Sequence, residues 1–504
     1  MAPNQDGAYM GGDSRDYYTN LNPSPSNTFG DRVDRYFKMT ERGSSVMQEI
    51  KAGVILFATM CYILVVNPEI LGAAGLDMGL VASSTAVCAV VGSLIMGLFA
   101  NLPFGVAPGM GLNTYFAFEL VLGSHHTPAQ ACTICLVAGG IFALLGAVGA
   151  ANAAINSVPL SMKKAVVVGI GLFQTIIGLS VLGVIQAGDQ TILELGDVTG
   201  MPQMLGIATL LLIAMLVVLN VPGSILIGMG FTTVVALAIG LTHVPAKVVS
   251  TPEIAITVFD WSVLTTVSGW VGIFFVFFVA FVDVGGVMIG IAAQADELID
   301  ERTGDVTNQR WGFTIVGLSI MISAVFGNSP MIIYLESAAA VQQGGRTGLT
   351  TIVSALLFFV VMFFVPTVSA VPRAATAPVL VLVGSFMMGA VMAVSWDKIN
   401  EALPAFMTIT MMAFTCSIST GLVSGICFYA VLNFPFVLAR GLNVAWLKDR
   451  LAMEEIQSAR QRAASIESAI ERKRSEVYSF RERREGSGDV AVHHQSRASP
   501  PVFN

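Results

Sequence analysis

The stretch Gly327–Leu349, GNSPMIIYLESAAAVQQGGRTGL, interrupts a chain that is otherwise almost continuously apolar. It opens with a turn-forming Gly-Asn-Ser-Pro sequence, carries one carboxylate at Glu336 and closes with Gly-Gly-Arg. A helix broken at membrane depth, with an acidic side chain just inside the break, is how many transporters build a substrate site. We therefore expect the rest of the chain to be a membrane scaffold that holds this segment.

Composition supports a polytopic membrane protein. The chain has 504 residues, of which 54% are hydrophobic and only 12% charged, and its mean hydropathy is +0.74. Soluble proteins carry about a quarter charged residues. The formal net charge is -7, and the charged residues lie mostly in tails and loops, so nucleic acid is not an expected partner. All six cysteines lie in apolar runs, where we interpret them as packing residues rather than metal ligands.

Apolar runs of the length that crosses a bilayer, about 20 residues, predict an all-α membrane protein with fourteen transmembrane segments. They lie near 48–67, 80–100, 107–122, 128–150, 163–185, 203–220, 223–242, 267–295, 310–327, 329–342, 348–366, 374–395, 402–417 and 419–440. The domains expected are a disordered cytoplasmic tail (1–45), a first seven-span repeat (46–242), an extracellular linker (243–265), a second seven-span repeat (266–440), and a cytoplasmic charged helix with a disordered tail (441–504). Basic residues before the first span and after the last place both termini in the cytoplasm, with Lys163 and Lys164 in a cytoplasmic loop.

The two repeats are expected to run with inverted topology, because each contains an odd number of spans. In each set the third span is short and follows a break, at Pro103–Gly111 before Asn113 and at 327–330 before Glu336. Interrupted spans at matching places in inverted halves indicate a transport site. We expect the two half-helices, with brief extended stretches, to face each other and to point backbone N–H groups into a shared cavity.

The candidate site residues are the polar groups that apolar spans would otherwise exclude. Asp283 and Glu336 are the two carboxylates clearly inside predicted spans, with no Lys or Arg in a span to neutralise them. Such groups are costly in a membrane and indicate function. Two acids without a cation suit a substrate that donates hydrogen bonds, such as a planar heterocycle with ring N–H and amino groups. Asn113 can read a ring carbonyl or nitrogen, or can serve only as a helix cap.

Three aromatic residues, Phe116, Phe281 and Tyr334, lie near these polar groups and either stack on the substrate ring or simply pack the core.

All five histidines fall in loops or tails, so proton coupling is expected to use Asp283 or Glu336. Burial disfavours the charged form of a carboxyl group, which lets such a group load a proton on one side of the membrane and release it on the other. No metal cluster and no nucleophile with a base is found, which argues against an enzyme.

Five motifs carry a family resemblance that runs from about residue 45 to 440: Ala107–Ala117, Phe281–Asp283, Tyr334–Ala339, Gly344–Thr350 and Ala402–Met407. Together they resemble the AzgA-like purine permeases among the nucleobase–cation symporters. The resemblance implies core and gate domains and proton-coupled, elevator-like import of hypoxanthine, adenine or guanine. It places the purine at Asn113, Asp283 and Glu336, with no cofactor besides the co-transported proton. It also implies a multi-pass plasma-membrane protein in contact with lipid, as a homodimer.

The chain departs from the family pattern in ways that make its site less polar. Val282–Val287 replaces a run of the form Phe-Asp-Thr-x-Gly-Thr, and Met331–Ile333 replaces a threonine-rich approach to the glutamate. Related plant members also carry cytokinins, which are N6-substituted adenines that an apolar pocket tolerates. The alternatives are an anion transporter of the sulfate or bicarbonate type on the same fold, and a membrane sensor or enzyme. The two acids argue against the first alternative.

Overall fold

The computed structural model describes residues 29–442 apart from 152–157, 187, 189–192, 246, 293, 301–304 and 369. The first 28 residues of the predicted N-terminal tail and the predicted charged C-terminal region from residue 443 onward lie outside the described residues. Residues 29–37, which fall within the predicted tail, form a helix. The chain up to Tyr429 forms one compact unit, and the remaining described residues, 430–442, complete the last helix.

Helices make up most of the described chain. In chain order they are α1 Phe29–Phe37, α2 Val46–Met60, α3 Ile63–Ala73, α4 Met78–Ile95, α5 Met110–Thr114, α6 Pro128–Val148, α7 Leu160–Leu182, α8 Met201–Val218, α9 Ser224–Ala238, α10 Val267–Ala292, α11 Gln309–Val325, α12 Ser337–Gln342, α13 Gly348–Val361, α14 Val365–Val368, α15 Arg373–Met388, α16 Ile399–Thr415 and α17 Ile418–Leu442. Two π-helical segments, Met96–Ala100 and Tyr115–Gly123, extend α4 and α5. The short strands are β1 Val106–Pro108, β2 Ile185–Gln186, β3 Glu194–Leu195 and β4 Met331–Ile333.

Nine helical segments of the described chain are long and apolar enough to cross a membrane, counting α2 with α3 as one segment, Val46–Ala73. They coincide with nine of the predicted spans. The other five predicted spans fall on shorter helices, at 110–123, 224–238, 309–325, 337–342 and 399–415. Length and composition therefore identify a multi-pass membrane protein, and the fourteen-span inverted repeat stays a prediction.

The two breaks expected from the sequence lie side by side. β1 and β4 pair antiparallel, with Val106 opposite Ile333 and Pro108 opposite Met331. The N–H of Gly109 extends the pairing by donating to the carbonyl of Pro330 at 3.0 Å. A Cβ at Gly109 would lie 2.3 Å from Cγ1 of Ile332, so only glycine allows this close approach. The pairing satisfies backbone groups that could not stay unpaired at membrane depth.

A buried polar network fixes the second break to α3 and α4. The Asn67 amide donates to Oδ1 of Asn328 and to Oγ1 of Thr85, both at 2.8 Å. The Asn328 amide donates to Oγ of Ser84 at 2.8 Å and to Oγ1 of Thr85 at 3.0 Å. The N–H of Ser329 donates to Oδ1 of Asn328 at 2.8 Å. All five residues are at most 2% exposed, so the loop before β4 has a defined position although it is not regular structure.

Glu49, Glu69 and Glu119 are also buried or half-buried in the described helices, which corrects the sequence argument that only Asp283 and Glu336 lie inside spans. Glu49, on α2, accepts hydrogen bonds from three backbone N–H groups at the start of α13. Glu69, on α3, pairs with Nε of Arg373 at 3.6 Å. Glu119 accepts from the N–H groups of residues 418 and 419 and so caps α17. These acids hold elements of the fold together.

Candidate functional site

A break between α2 and α3 brings an unpredicted tyrosine to Glu336. α2 ends at Met60 and α3 begins at Ile63, which leaves Tyr62 in the connecting turn. Its ring is 1% exposed. Its phenol O–H donates to Oε1 of Glu336 at 2.6 Å. Sequence reasoning missed Tyr62 because a tyrosine inside an apolar run has no local signal that distinguishes it from a packing residue.

Glu336 itself lies where β4 gives way to α12, immediately before the first residue of that helix. The preceding Tyr334 is buried, and its phenol donates to the carbonyl oxygen of Pro108 at 2.5 Å. That bond connects the acidic segment to the end of β1. The rings of Tyr62 and Tyr334 lie 6.4 Å apart between centroids. Tyr62 therefore orients the carboxyl group of Glu336, and Tyr334 fixes the backbone beside it to the end of β1.

A cavity of about 530 Å³ opens beside Glu336. Its wall comes from the start of α5, from α7, α10 and α15, and from the segment from β4 to α12. Most of the lining is apolar. The exceptions are a small number of polar or ionisable side chains, namely Tyr62, Lys164, Gln174, Asp283, Tyr334, Glu336 and Gln342. A mainly apolar hollow with a few convergent polar groups is the usual composition of a small-molecule site, and this volume lies within the usual range of about 300–1,000 Å³.

Asp283 contributes the second carboxyl group of the cavity. It lies in the C-terminal half of α10, and its residue is half-buried. Gly286 and Gly290, one and two turns further along the same helix, also line the cavity. A Cβ at either glycine would meet no atom within 4 Å. The side of α10 that bears Asp283 thus leaves open space, and Asp283 lines the same cavity as Glu336.

Lys164 corrects the expectation that no basic side chain lies in a span. The predicted span near 163–185 includes both lysines at its edge, although the orientation argument assigned them to a cytoplasmic loop. In the structure α7 begins earlier, at Leu160, with Pro159 as its N-cap. Lys163 and Lys164 therefore lie in the first turns of a helix that is long enough to cross a membrane. Lys164 lines the cavity and is half-buried. The cavity consequently holds one cation as well as two acids.

Gln174 is a second residue that sequence reasoning missed. It lies in the middle of α7, is 0% exposed and lines the cavity. Neither Nε2 nor Oε1 of its amide has a hydrogen-bond partner in the part of the chain that the structure describes. A glutamine within the long apolar stretch of this helix was the available signal in the sequence.

The six residues predicted to bind substrate fall into two groups. Asp283, Tyr334 and Glu336 line the cavity. Asn113, Phe116 and Phe281 lie outside that lining.

Asn113 is completely buried in α5, and its Oδ1 accepts a hydrogen bond from Oγ of Ser329 at 2.6 Å. Its Nδ2 has no partner among the described residues. Its neighbours Met110 and Gly111 do line the cavity. Asn113 thus ties the first break to the second from behind the cavity wall, and a direct contact with substrate stays a prediction.

The two phenylalanines are packed in the core. Phe116 is 0% exposed. Phe281 stacks on Phe277 with ring centroids 5.4 Å apart, and it also contacts Phe142 and Phe313. Of the predicted aromatic residues, only Tyr334 reaches the cavity wall.

Comparison with known proteins assigns the chain to a family. A model of the xanthine/uracil type, described as a permease family, matches residues 47–424. The guanine/hypoxanthine permease PbuO of Bacillus subtilis is 37% identical over 407 residues, covering 79% of this chain and 94% of that protein. The adenine permease AdeP of Escherichia coli is 35% identical over 414 residues, covering 82% of this chain and 92% of that protein.

Solved structures agree on the fold. The transmembrane domain of the cyanobacterium bicarbonate transporter BicA aligns with a TM-score of 0.54 and 16% identity, covering 74% of this chain and 96% of that domain. The inward-facing structure of the murine Solute Carrier 26 family member A9 anion transporter aligns with a TM-score of 0.56 and 11% identity, covering 86% of this chain and 77% of that one. Identities this low show a shared fold and nothing about substrate. On the family model and the sequence relatives together, the chain belongs to the permease family, whose members are membrane transporters and not enzymes.

Proposed function

We propose that the protein is a secondary active importer of purine nucleobases (hypoxanthine, adenine and guanine) and that it couples their uptake to protons. The observation that carries the proposal is the cavity in which Asp283 and the Tyr62–Glu336 pair converge beside the paired strands. The relatives named as guanine/hypoxanthine and adenine permeases, each about as similar to this chain as the other, support the substrate class.

Carboxylates are suited to a purine because they only accept hydrogen bonds, and every purine base presents at least one ring N–H. Tyr62 donates to one oxygen of Glu336 and so orients the carboxyl group for a second donor. The apolar lining, which includes Val167, Val383 and Phe386, suits the faces of a flat ring. The same lining accommodates an apolar N6 substituent, which extends the proposal to cytokinins.

Proton coupling is proposed from the two acids that share the cavity. When both are ionised in a poorly solvated space they repel each other, and binding of a proton to one of them relieves the repulsion. Lys164 at the cavity wall partly offsets the negative charge. Binding of a proton to Asp283 or Glu336 before the purine binds therefore explains why two acidic side chains and one lysine line a single cavity.

The membrane arrangement that fits this function is a fourteen-span inverted repeat with core and gate domains, moving by an elevator-like mechanism. The nine long helices and the five shorter ones at the predicted positions support the arrangement. The antiparallel pairing of the two broken segments supports it further. We extend the proposal to a plasma-membrane homodimer with both termini in the cytoplasm, on the resemblance stated above.

Uptake of radiolabelled hypoxanthine, adenine and guanine into cells that lack their own purine carriers tests the proposal. Glu336→Ala is expected to abolish uptake with normal protein at the surface. Glu336→Gln and Asp283→Asn are expected to lose the dependence on an inward proton gradient. Glu253→Gln, which changes an exposed acid outside the cavity, is the matched control and should leave uptake unchanged.

Three results would overturn parts of the proposal. Sulfate or bicarbonate flux in place of any purine uptake would refute the substrate class, and saturable purine uptake that persists in Glu336→Ala would refute the role of this acid. Uptake that stays constant between about pH 5 and 8, where buried carboxyl groups can titrate, and that resists a proton uncoupler would refute the coupling.

A further inference from the structure

We propose that Gln174 forms hydrogen bonds with N1 and the C6 substituent of the purine. In this way one cavity can bind both 6-amino and 6-oxo bases. The inference rests on the proposed function and deepens it. It begins from an unsatisfied group: both polar atoms of the Gln174 amide lack a partner among the described residues, although the side chain is 0% exposed. A buried amide left unpaired costs free energy, so such a group implies a ligand or water that completes it.

Gln174 differs from the other unsatisfied polar groups of the described chain. Those groups include one amide atom of Asn113, one of Gln309 and the hydroxyls of Ser319 and Ser354. None of them lines the cavity, and in none is an entire amide unpaired. Gln174 alone combines a complete unpaired amide with a place in the cavity wall, which directs the inference to a ligand inside the cavity.

A glycine lets α5 pack closely against α7 next to the amide. Nε2 of Gln174 lies 3.9 Å from the position that a Cβ on Gly111 would occupy, and that Cβ would clash with Cγ2 of Ile170 at 2.8 Å. Gly111 belongs to α5, the short helix that follows the first break. α7 and α5 therefore approach each other closely at Gln174. Gln174, Met110 and Gly111 line the same cavity, so a ring bound there approaches the amide from the cavity side.

The chemistry of the amide matches the variable edge of purines. A primary amide presents an acceptor oxygen and a donor nitrogen side by side. The 6-amino group and N1 of adenine form a donor–acceptor pair, whereas the 6-oxo group and N1–H of hypoxanthine or guanine form the reverse pair. Rotation of the terminal amide by half a turn exchanges its own donor and acceptor, so the same side chain fits either edge. Whichever of Asp283 and Glu336 stays ionised only accepts hydrogen bonds and is left for the imidazole-ring N–H that all these bases share.

The test compares bases that differ only at this edge. Purified wild-type protein and Gln174→Met, which keeps the side-chain length but removes both hydrogen-bonding atoms, are titrated with adenine, hypoxanthine and purine without a six-substituent. The wild type is expected to prefer adenine and hypoxanthine over unsubstituted purine by about tenfold or more, since one buried hydrogen bond of this kind separates them. Gln174→Met is expected to bring that ratio close to one. Gln309→Met, which alters a buried glutamine away from the cavity, should keep the wild-type ratio.

Gln174→Asn serves if the methionine variant does not fold. It keeps the amide but draws it back by one methylene, so the preference should fall while binding remains. A wild-type preference retained in either variant overturns the inference, and so does an equal loss for all three bases, which would mark a structural role. Failure of the proposed function is a different result, because in that case the wild type binds none of the three bases.

Discussion

Replacing Asn328 with leucine should destabilise the protein by about 2–3 kcal/mol. Leucine has the branched shape of asparagine, although it is larger, and it cannot form the bonds to Asn67, Ser84 and Thr85, which measure 2.8, 2.8 and 3.0 Å. Each buried hydrogen bond contributes about 1 kcal/mol net in soluble proteins and about 0.6 kcal/mol on average between membrane helices. Three such bonds give the stated range. The N–H of Ser329, bonded at 2.8 Å to Oδ1 of Asn328, would also lose that acceptor while it remains buried.

Thermal unfolding of the purified protein in detergent, at one heating rate for all variants, measures the effect. Ser84→Ala is the graded control, because it removes one acceptor of the network and should lower the midpoint by about a third as much. The midpoint of Asn328→Leu should fall by several degrees. A midpoint within one degree of the wild type, or an effect of Ser84→Ala as large as that of Asn328→Leu, would refute the view that Asn328 is the centre of the network.

Three other substitutions follow from the contacts described above. Tyr62→Phe removes the hydrogen bond to a carboxylate, a class of bond that contributes about 1.5–3 kcal/mol, so the KM for a labelled purine should rise at least tenfold. Glu119→Ala removes the cap of α17, and a lost cap costs about 0.5–2 kcal/mol, which lowers the unfolding midpoint. Gly348→Ala would place a Cβ 1.9 Å from the carbonyl oxygen of Gly97 and should destabilise by about 1–3 kcal/mol through overpacking, whereas Gly140→Ala meets no atom within 4 Å and should not.

Each of these three predictions has a result that would contradict it. A KM within twofold of the wild type would show that the tyrosine does not position the acid. An unfolding midpoint unaffected by loss of the cap would mean that the last helix does not depend on it. Equal midpoints for the two glycine variants would contradict the close contact between α4's π-helical extension and α13.

The sequence was most informative where a residue type is unusual for its surroundings. Gly, Pro and Asn in an apolar chain marked both breaks, and the structure places those breaks side by side. Asp283 and Glu336 were recognisable as acids among apolar residues, and both line the cavity. In each case the local composition carries the information, because turn-forming residues and charges are costly within a membrane helix.

The parts that sequence did not predict depend on distant contacts or on helix ends. Tyr62 and Gln174 become candidate site residues only because other elements form a cavity around them. Glu69 was missed because the first predicted span stops at residue 67, whereas α3 continues through Pro68 to Ala73. Lys164 was assigned to a loop because it lies at the edge of the predicted span, whereas α7 begins at Leu160 and includes it. Such errors are typical, since end positions of helices depend on caps and on tertiary packing.

The pairing of β1 with β4 also has a consequence for biosynthesis. The first strand leaves the ribosome more than 220 residues ahead of its partner, which ends at Ile333. During that interval the backbone groups of Val106–Pro108 have no strand to pair with, in a lipid environment that penalises unpaired groups. Nascent chains stopped before residue 331 should therefore need a chaperone, a translocon surface or water to shelter this segment. A cell that makes this permease has to keep a half-built transporter from aggregating until the last third of the chain arrives.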